Sequence, residues 1–111
     1  MSEYFPDQGD FIILTFDPQA GHEQMGRRPA LVLSKKAFNE KVGFAFVCPI
    51  TSTIRPYPFH LELPPECDLH GVVMIDQARS LDFRARRAKP AGQAPKVWFN
   101  EVLKRFKPII F

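Results

Sequence analysis

Ten residues, Gly21 to Ala30 in "GHEQMGRRPA", hold a histidine, a glutamate, two adjacent arginines and two glycines immediately ahead of the apolar run "LVL". Glu23 is a candidate general base, since a carboxylate can accept a proton. Arg28 is a permanent cation with five N–H donors in a planar fork that matches a phosphate. Together they suit phosphoryl chemistry. RNA carries its own nucleophile, the 2′-hydroxyl. Cleaving it needs a base for that proton, positive donors for the phosphorane charge and an acid for the leaving 5′-oxygen. A metal is not required. Arginine is a poor proton carrier because its pKa stays above about 12, so Arg28 is assigned chiefly to charge stabilisation.

Thr51 and Ser52 end the segment "VCPITS" and can add hydroxyl hydrogen bonds to the same phosphate if the fold brings them beside the first loop. The other polar residues have two readings each. Arg27 suits a solvated charge or one that steers RNA, His22 a loop hydrogen-bonder or a catalyst, and Asp76 a catalyst or an anchor for the backbone of "DQARS". His22, His60 and His70 show no short paired spacing, so no metal site and no cofactor is expected.

These groups have to be held by strands and turns. Gly21 and Gly26 free the backbone of the loop, and Pro29 stiffens the start of the strand that follows. Eleven prolines and six glycines cut the chain into short runs. "DFIILTF", "PALVLS", "GFAFVCPI", "FHLEL" and "GVVMIDQARSLDF" read as strands or pairs of strands, the first of them apolar enough for burial on both faces. Five or six short strands in a small chain imply a mainly β, antiparallel barrel or half-barrel. "KKAFNEKV" fits one or two helical turns around Ala37 and Phe38, capped by Ser34. From Pro95 onward, Trp98, Phe99, Val102, Leu103 and Phe106 recur at helical spacing and predict a C-terminal helix with its apolar stripe in the core. The polar stretch "ITSTIRPYP" reads as a loop beside whatever surface the strands present.

With 111 residues the chain fits a single domain, 1–111. Its 45% hydrophobic and 24% charged residues exclude a disordered chain. No run approaches the roughly 18 apolar residues of a membrane span, and "MSEYFPDQGD" lacks the regions of a secretory signal, so a cytoplasmic location is expected. Cys48 and Cys67 stand in unlike settings and read as free thiols, Cys48 in the core. The net charge is only +3, but the basic residues cluster at 27–28, 84–89 and 104–107, which favours a polyanion and salt-sensitive binding.

The ordered set "GDFIILTFDPQAGHEQMGRRPALVLS", "VCPITS" and "GVVMIDQARSLDFRARRA" resembles the MazF/PemK family of bacterial toxins, from about residue 9 to the end. The resemblance implies an SH3-like barrel with a long C-terminal helix, assembled as a homodimer. It implies a metal-independent endoribonuclease that cuts single-stranded RNA, messenger RNA included, usually at a short sequence. The products are a 2′,3′-cyclic phosphate or 3′-phosphate and a 5′-hydroxyl. A cognate MazE-like antitoxin would neutralise it with an acidic disordered tail. By motif, Glu23, Arg28 and Thr51 take the catalytic places, with His22 and Asp76 as possible catalytic residues. Arg27, Ser52, Gln77, Arg79, Ser80, Arg84 and Arg86 fall in the RNA-binding segments. One branch of the family also uses an arginine where this chain has Met74, so that branch's mechanism does not transfer whole. The alternative is a non-catalytic toxin on the same barrel, like CcdB, which binds DNA gyrase.

Overall fold

A computed structural model describes residues 3–16 and 26–111. Strand β1 (Asp10–Thr15) leads to β2 (Arg27–Val32), helix α1 (Lys36–Val42) and β3 (Ala45–Thr51). Then come β4 (His60–Glu62), β5 (Val72–Met74), a 3-10 turn (Ile75–Gln77), β6 (Arg79–Leu81), β7 (Lys89–Gln93) and helix α2 (Lys96–Ile110). The sheet runs β4-β5-β3-β2-β1-β7, and β6 joins β3 off this path. All the strand pairs are antiparallel.

The architecture is that of the expected antiparallel sheet with a C-terminal helix, but the barrel needs correcting. Among the described residues β4 and β7 end the sheet without pairing to each other, so it stays open. β7 lies in "KPAGQ", which carries too little apolar signal to be read as a strand. An end strand tolerates Pro90 because it has only one neighbour to bond.

Both faces of the sheet are covered, which is why β1 is apolar almost throughout. Phe11 joins Leu31, Cys48, Ile50, Val73 and Ile75 under the α2 residues Phe99 and Val102, with Trp98, Leu103 and Phe106 packed around them. Ile12 and Leu14 alternate to the other face, beside Ala30, Val32, Val47, Leu81 and Phe83. Each fully buried side chain of this kind stabilises the fold by about 1.5–3 kcal/mol.

Helix α1 departs from expectation. Ala37 and Phe38 are exposed, and its buried residue is Asn39. The Asn39 amide donates to Pro6 O at 2.8 Å and Ser34 O at 3.1 Å, while the Ser34 hydroxyl donates to Asn39 Oδ1 at 2.6 Å. Ser34 therefore gives the helix no N-terminal cap, since its hydroxyl serves Asn39 and accepts from Phe46 N instead.

Helix α2 also seals the end strand β4. Arg105 donates to Pro58 O at 3.2 Å and His60 O at 3.4 Å, and the Trp98 indole donates to Glu62 O at 2.8 Å. Alternate carbonyls of an end strand point outward, so these bonds occupy sites that would otherwise pair with another chain.

Candidate active site

The last β2–β3 pair in the register is Ala30↔Pro49. Beyond that pair β2 runs back to Arg28 and β3 on to Thr51, at the same end of the two antiparallel strands. Both alternate to the face that holds Ala30, Val32 and Val47. Arg28 is exposed and Thr51 half-buried, so this corner of the face is open to a ligand. The Thr51 hydroxyl accepts from Thr53 N at 3.2 Å, which orients it and leaves its proton to donate. On its other side Thr51 pairs with Val72 of β5.

Glu23 and His22 lie outside the described residues. Gly26, which ends that segment, is tied to the sheet through Phe16 N, which donates to its carbonyl at 2.7 Å.

The basic residues divide by what already holds them. Arg27 donates to Thr15 Oγ1 and to the carbonyls of Ile13, Arg86 and Arg87, at 2.9–3.3 Å. Its terminal nitrogens are spent inside the protein, which fits a brace between β1 and the 84–88 turn better than a phosphate contact. Arg86 gives one nitrogen to Thr15 O and Phe16 O. Arg84 is paired with Glu3 and lies over the Phe5 ring, and Arg79 lies over the Phe16 ring at 5.8 Å. A stacked guanidinium still points its N–H groups outward in its own plane, so Arg79 remains able to bind phosphate. Ser52, Gln77 and Ser80 are exposed.

Asp76 sits on the 3-10 turn and accepts a hydrogen bond from the Tyr57 hydroxyl at 3.0 Å. That bond and the Asp76 charge raise the pKa of the Tyr57 phenol, so the phenol stays a donor at neutral pH. Asp76 also adds to the burial that pushes the Cys48 thiol up to about 12. The sequence placed Tyr57 in the loop "STIRPYPF" without a role of its own. It missed Gly71, whose φ of +122° brings the backbone directly against the Thr51 carbonyl.

Among the described residues no group of three or more His, Cys, Asp or Glu is placed to hold a metal ion. A cleft of about 1000 Å³ beside Ile54, Pro64, Trp98 and Val97 is rimmed by Glu62, Glu66 and Glu101. Its charge opposes a phosphate, which makes it a poorer candidate than the Arg28 face.

The open antiparallel sheet and its long C-terminal helix are shared with known toxins. The PemK-like, MazF-like toxins of type II toxin-antitoxin systems match residues 7–110, and the chain belongs to that family. It is 42% identical over 112 residues to the endoribonuclease toxin ChpB of Escherichia coli (strain K12), covering 94% of this chain and 93% of ChpB. It is also 42% identical over 92 residues to the endoribonuclease toxin MazF of the same strain, covering 83% of this chain and 82% of MazF. A crystal structure of MazE-MazF (Form-III) from Deinococcus radiodurans superposes with a TM-score of 0.89 at 44% identity, covering 96% of this chain and 97% of that one.

Proposed function

We propose that the protein is an endoribonuclease toxin that cuts single-stranded RNA, messenger RNA included, at a short sequence and without a metal. The 42% identity to ChpB over nearly all of both chains carries the reading. The proposed chemistry uses Arg28 and Thr51, at the same end of β2 and β3. The RNA 2′-oxygen attacks the adjacent phosphorus while Glu23 takes its proton. Arg28 and the Thr51 hydroxyl hold the charge that builds on the phosphorane. The P–O5′ bond then breaks, the 5′-oxygen is protonated, and a 2′,3′-cyclic phosphate remains. His22 and Asp76 are the candidates for the proton delivered to the leaving oxygen.

A MazE-like antitoxin is the proposed protein partner, since the structural relative is a MazE-MazF complex. The working unit is proposed to be a homodimer in the cytoplasm. No described helix is long and apolar enough to cross a membrane. Gyrase binding is not favoured, because the matched relatives are named endoribonuclease toxins.

Purified protein incubated with single-stranded RNA in excess EDTA tests the proposal. Cleavage leaving 5′-hydroxyl ends, lost in Arg28→Ala, supports it. Intact RNA with the wild type, or undiminished cleavage by Arg28→Ala, sinks it.

A further inference from the structure

The cleft of about 1000 Å³ that suits a phosphate poorly has walls that hold their shape. One wall is the loop from Leu63 to Gly71. Leu63 N donates to Gly71 O at 3.0 Å and closes the base of that loop, and Cys67 N donates to Pro64 O at 3.1 Å inside it. Pro64 and Pro65 restrict its backbone further. The other wall is the start of α2, where Trp98 is fixed from two sides. Its indole donates to Glu62 O at 2.8 Å, and its ring rests against Phe11 at 5.7 Å between centroids. Walls fixed in advance lower the ordering cost when a ligand enters.

The lining joins exposed apolar side chains to carboxylates. Val97 is 84% exposed and Ile54 61% exposed, and both line the cleft with Glu62, Glu66 and Glu101. Arg105 pairs with Glu101 along the helix at 3.0 Å, but among the described residues Glu62 and Glu66 have no basic partner. The whole chain has a net charge of +3, so acidic groups gathered at one apolar cleft run against its overall balance. Such a surface complements a ligand that is both cationic and apolar. An arginine side chain meets both demands, because its guanidinium pairs with carboxylates and stacks on an indole. The RNA and the acidic antitoxin tail of the proposed function are both anionic, so neither suits this cleft.

We propose that the cleft is a docking site for a protein segment carrying arginine or lysine beside apolar side chains. Trp98 and Val97 receive the apolar groups, and Glu62 and Glu66 the cationic ones. Its occupancy does not depend on the ribonuclease reading.

Trp98 is the single tryptophan of the chain, so its fluorescence reports on the cleft directly. The probe is the end-capped peptide Arg-Leu-Arg-Leu-Arg-Leu titrated into the full chain, with an alternating Glu-Leu hexapeptide and an alternating Arg-Ser hexapeptide as controls. The probe should shift the Trp98 emission saturably, and both controls should bind about fivefold more weakly or worse. Glu62→Gln combined with Glu66→Gln should weaken binding of the probe by about fivefold, and Val97→Ser by a similar factor, with melting midpoints establishing that each variant is folded. The absence of a saturable shift, an equal response to either control, or wild-type affinity in the folded glutamine variant overturns the proposal. So does a Trp98 emission that moves on dilution of the protein alone, in step with its sedimentation coefficient, since the occupant would then be a second copy of the chain.

Discussion

Arg27 and Arg28 are neighbours in β2 and point to opposite faces, so identical side chains have different surroundings. Arg27 spends its terminal nitrogens on Thr15 and on three carbonyls, whereas Arg28 stands exposed. Arg27→Ala should therefore destabilise the fold by about 1–3 kcal/mol, since it strands half-buried carbonyls. Arg28→Ala should leave stability within about 0.5 kcal/mol of wild type. It should lower kcat by about a hundredfold to a thousandfold, as expected when a preorganised donor to a developing oxyanion is lost. Urea unfolding together with single-turnover cleavage separates the two. An Arg28→Ala protein that is less stable than Arg27→Ala would contradict the assignment.

Gly71 and Thr51 make the second prediction. At φ +122° a side chain is strained, and a Cβ on Gly71 would overlap the Thr51 carbonyl. Gly71→Ala should cost about 1–3 kcal/mol for the backbone conformation alone. Moving Thr51 should further reduce cleavage, even where the variant is still fully folded. Circular dichroism melts and kcat on the same preparation check this, and unchanged turnover in a folded Gly71→Ala protein would show that the Thr51 position is not needed.

The parts of the molecule that were legible are those whose neighbours in sequence are also neighbours in function. The apolar β1, the amphipathic α2 and the arginine beside Pro29 announce themselves by pattern. Asn39 could not be read in this way, because a polar residue on a short helix looks solvated until Pro6 and Ser34 are brought against it by the fold. Arg27 read as a solvated or RNA-steering charge for the same reason, since its acceptors lie at residues 13–15 and 86–87. β7 was hidden by its proline and glycine, and the open sheet edge depends on long-range pairing that local periodicity does not encode.

Cys48 sets a pH dependence. Burial first, and then the Asp76 charge, raise its thiol from 9.0 to about 12. The folded state thus holds the proton more tightly than the unfolded chain. The contribution to stability is complete below pH 9 and is lost as the pH rises toward 12. Wild-type melting midpoints should fall across that window, and Cys48→Ala should show a shallower fall despite a lower starting midpoint. Parallel alkaline limbs in the two proteins would exclude Cys48 as a source of the decline.

The division among the arginines also predicts how RNA binding responds to salt. For single strands, each neutralised phosphate contributes about −0.7 to the slope of log K against log salt. Arg28 is exposed and Arg79 lies over the Phe16 ring, while the terminal nitrogens of Arg27 are occupied within the protein. Arg28→Ala and Arg79→Ala should each flatten the slope by about 0.7, and Arg27→Ala should leave it unchanged. Glu3 occupies Arg84 in the free protein, so Glu3→Gln should release that guanidinium and steepen the slope by a similar amount. Anisotropy titrations of a 2′-O-methylated RNA over a series of potassium chloride concentrations measure all four slopes. A slope that falls in Arg27→Ala as much as in Arg28→Ala would mean that Arg27 leaves its internal acceptors to meet the RNA.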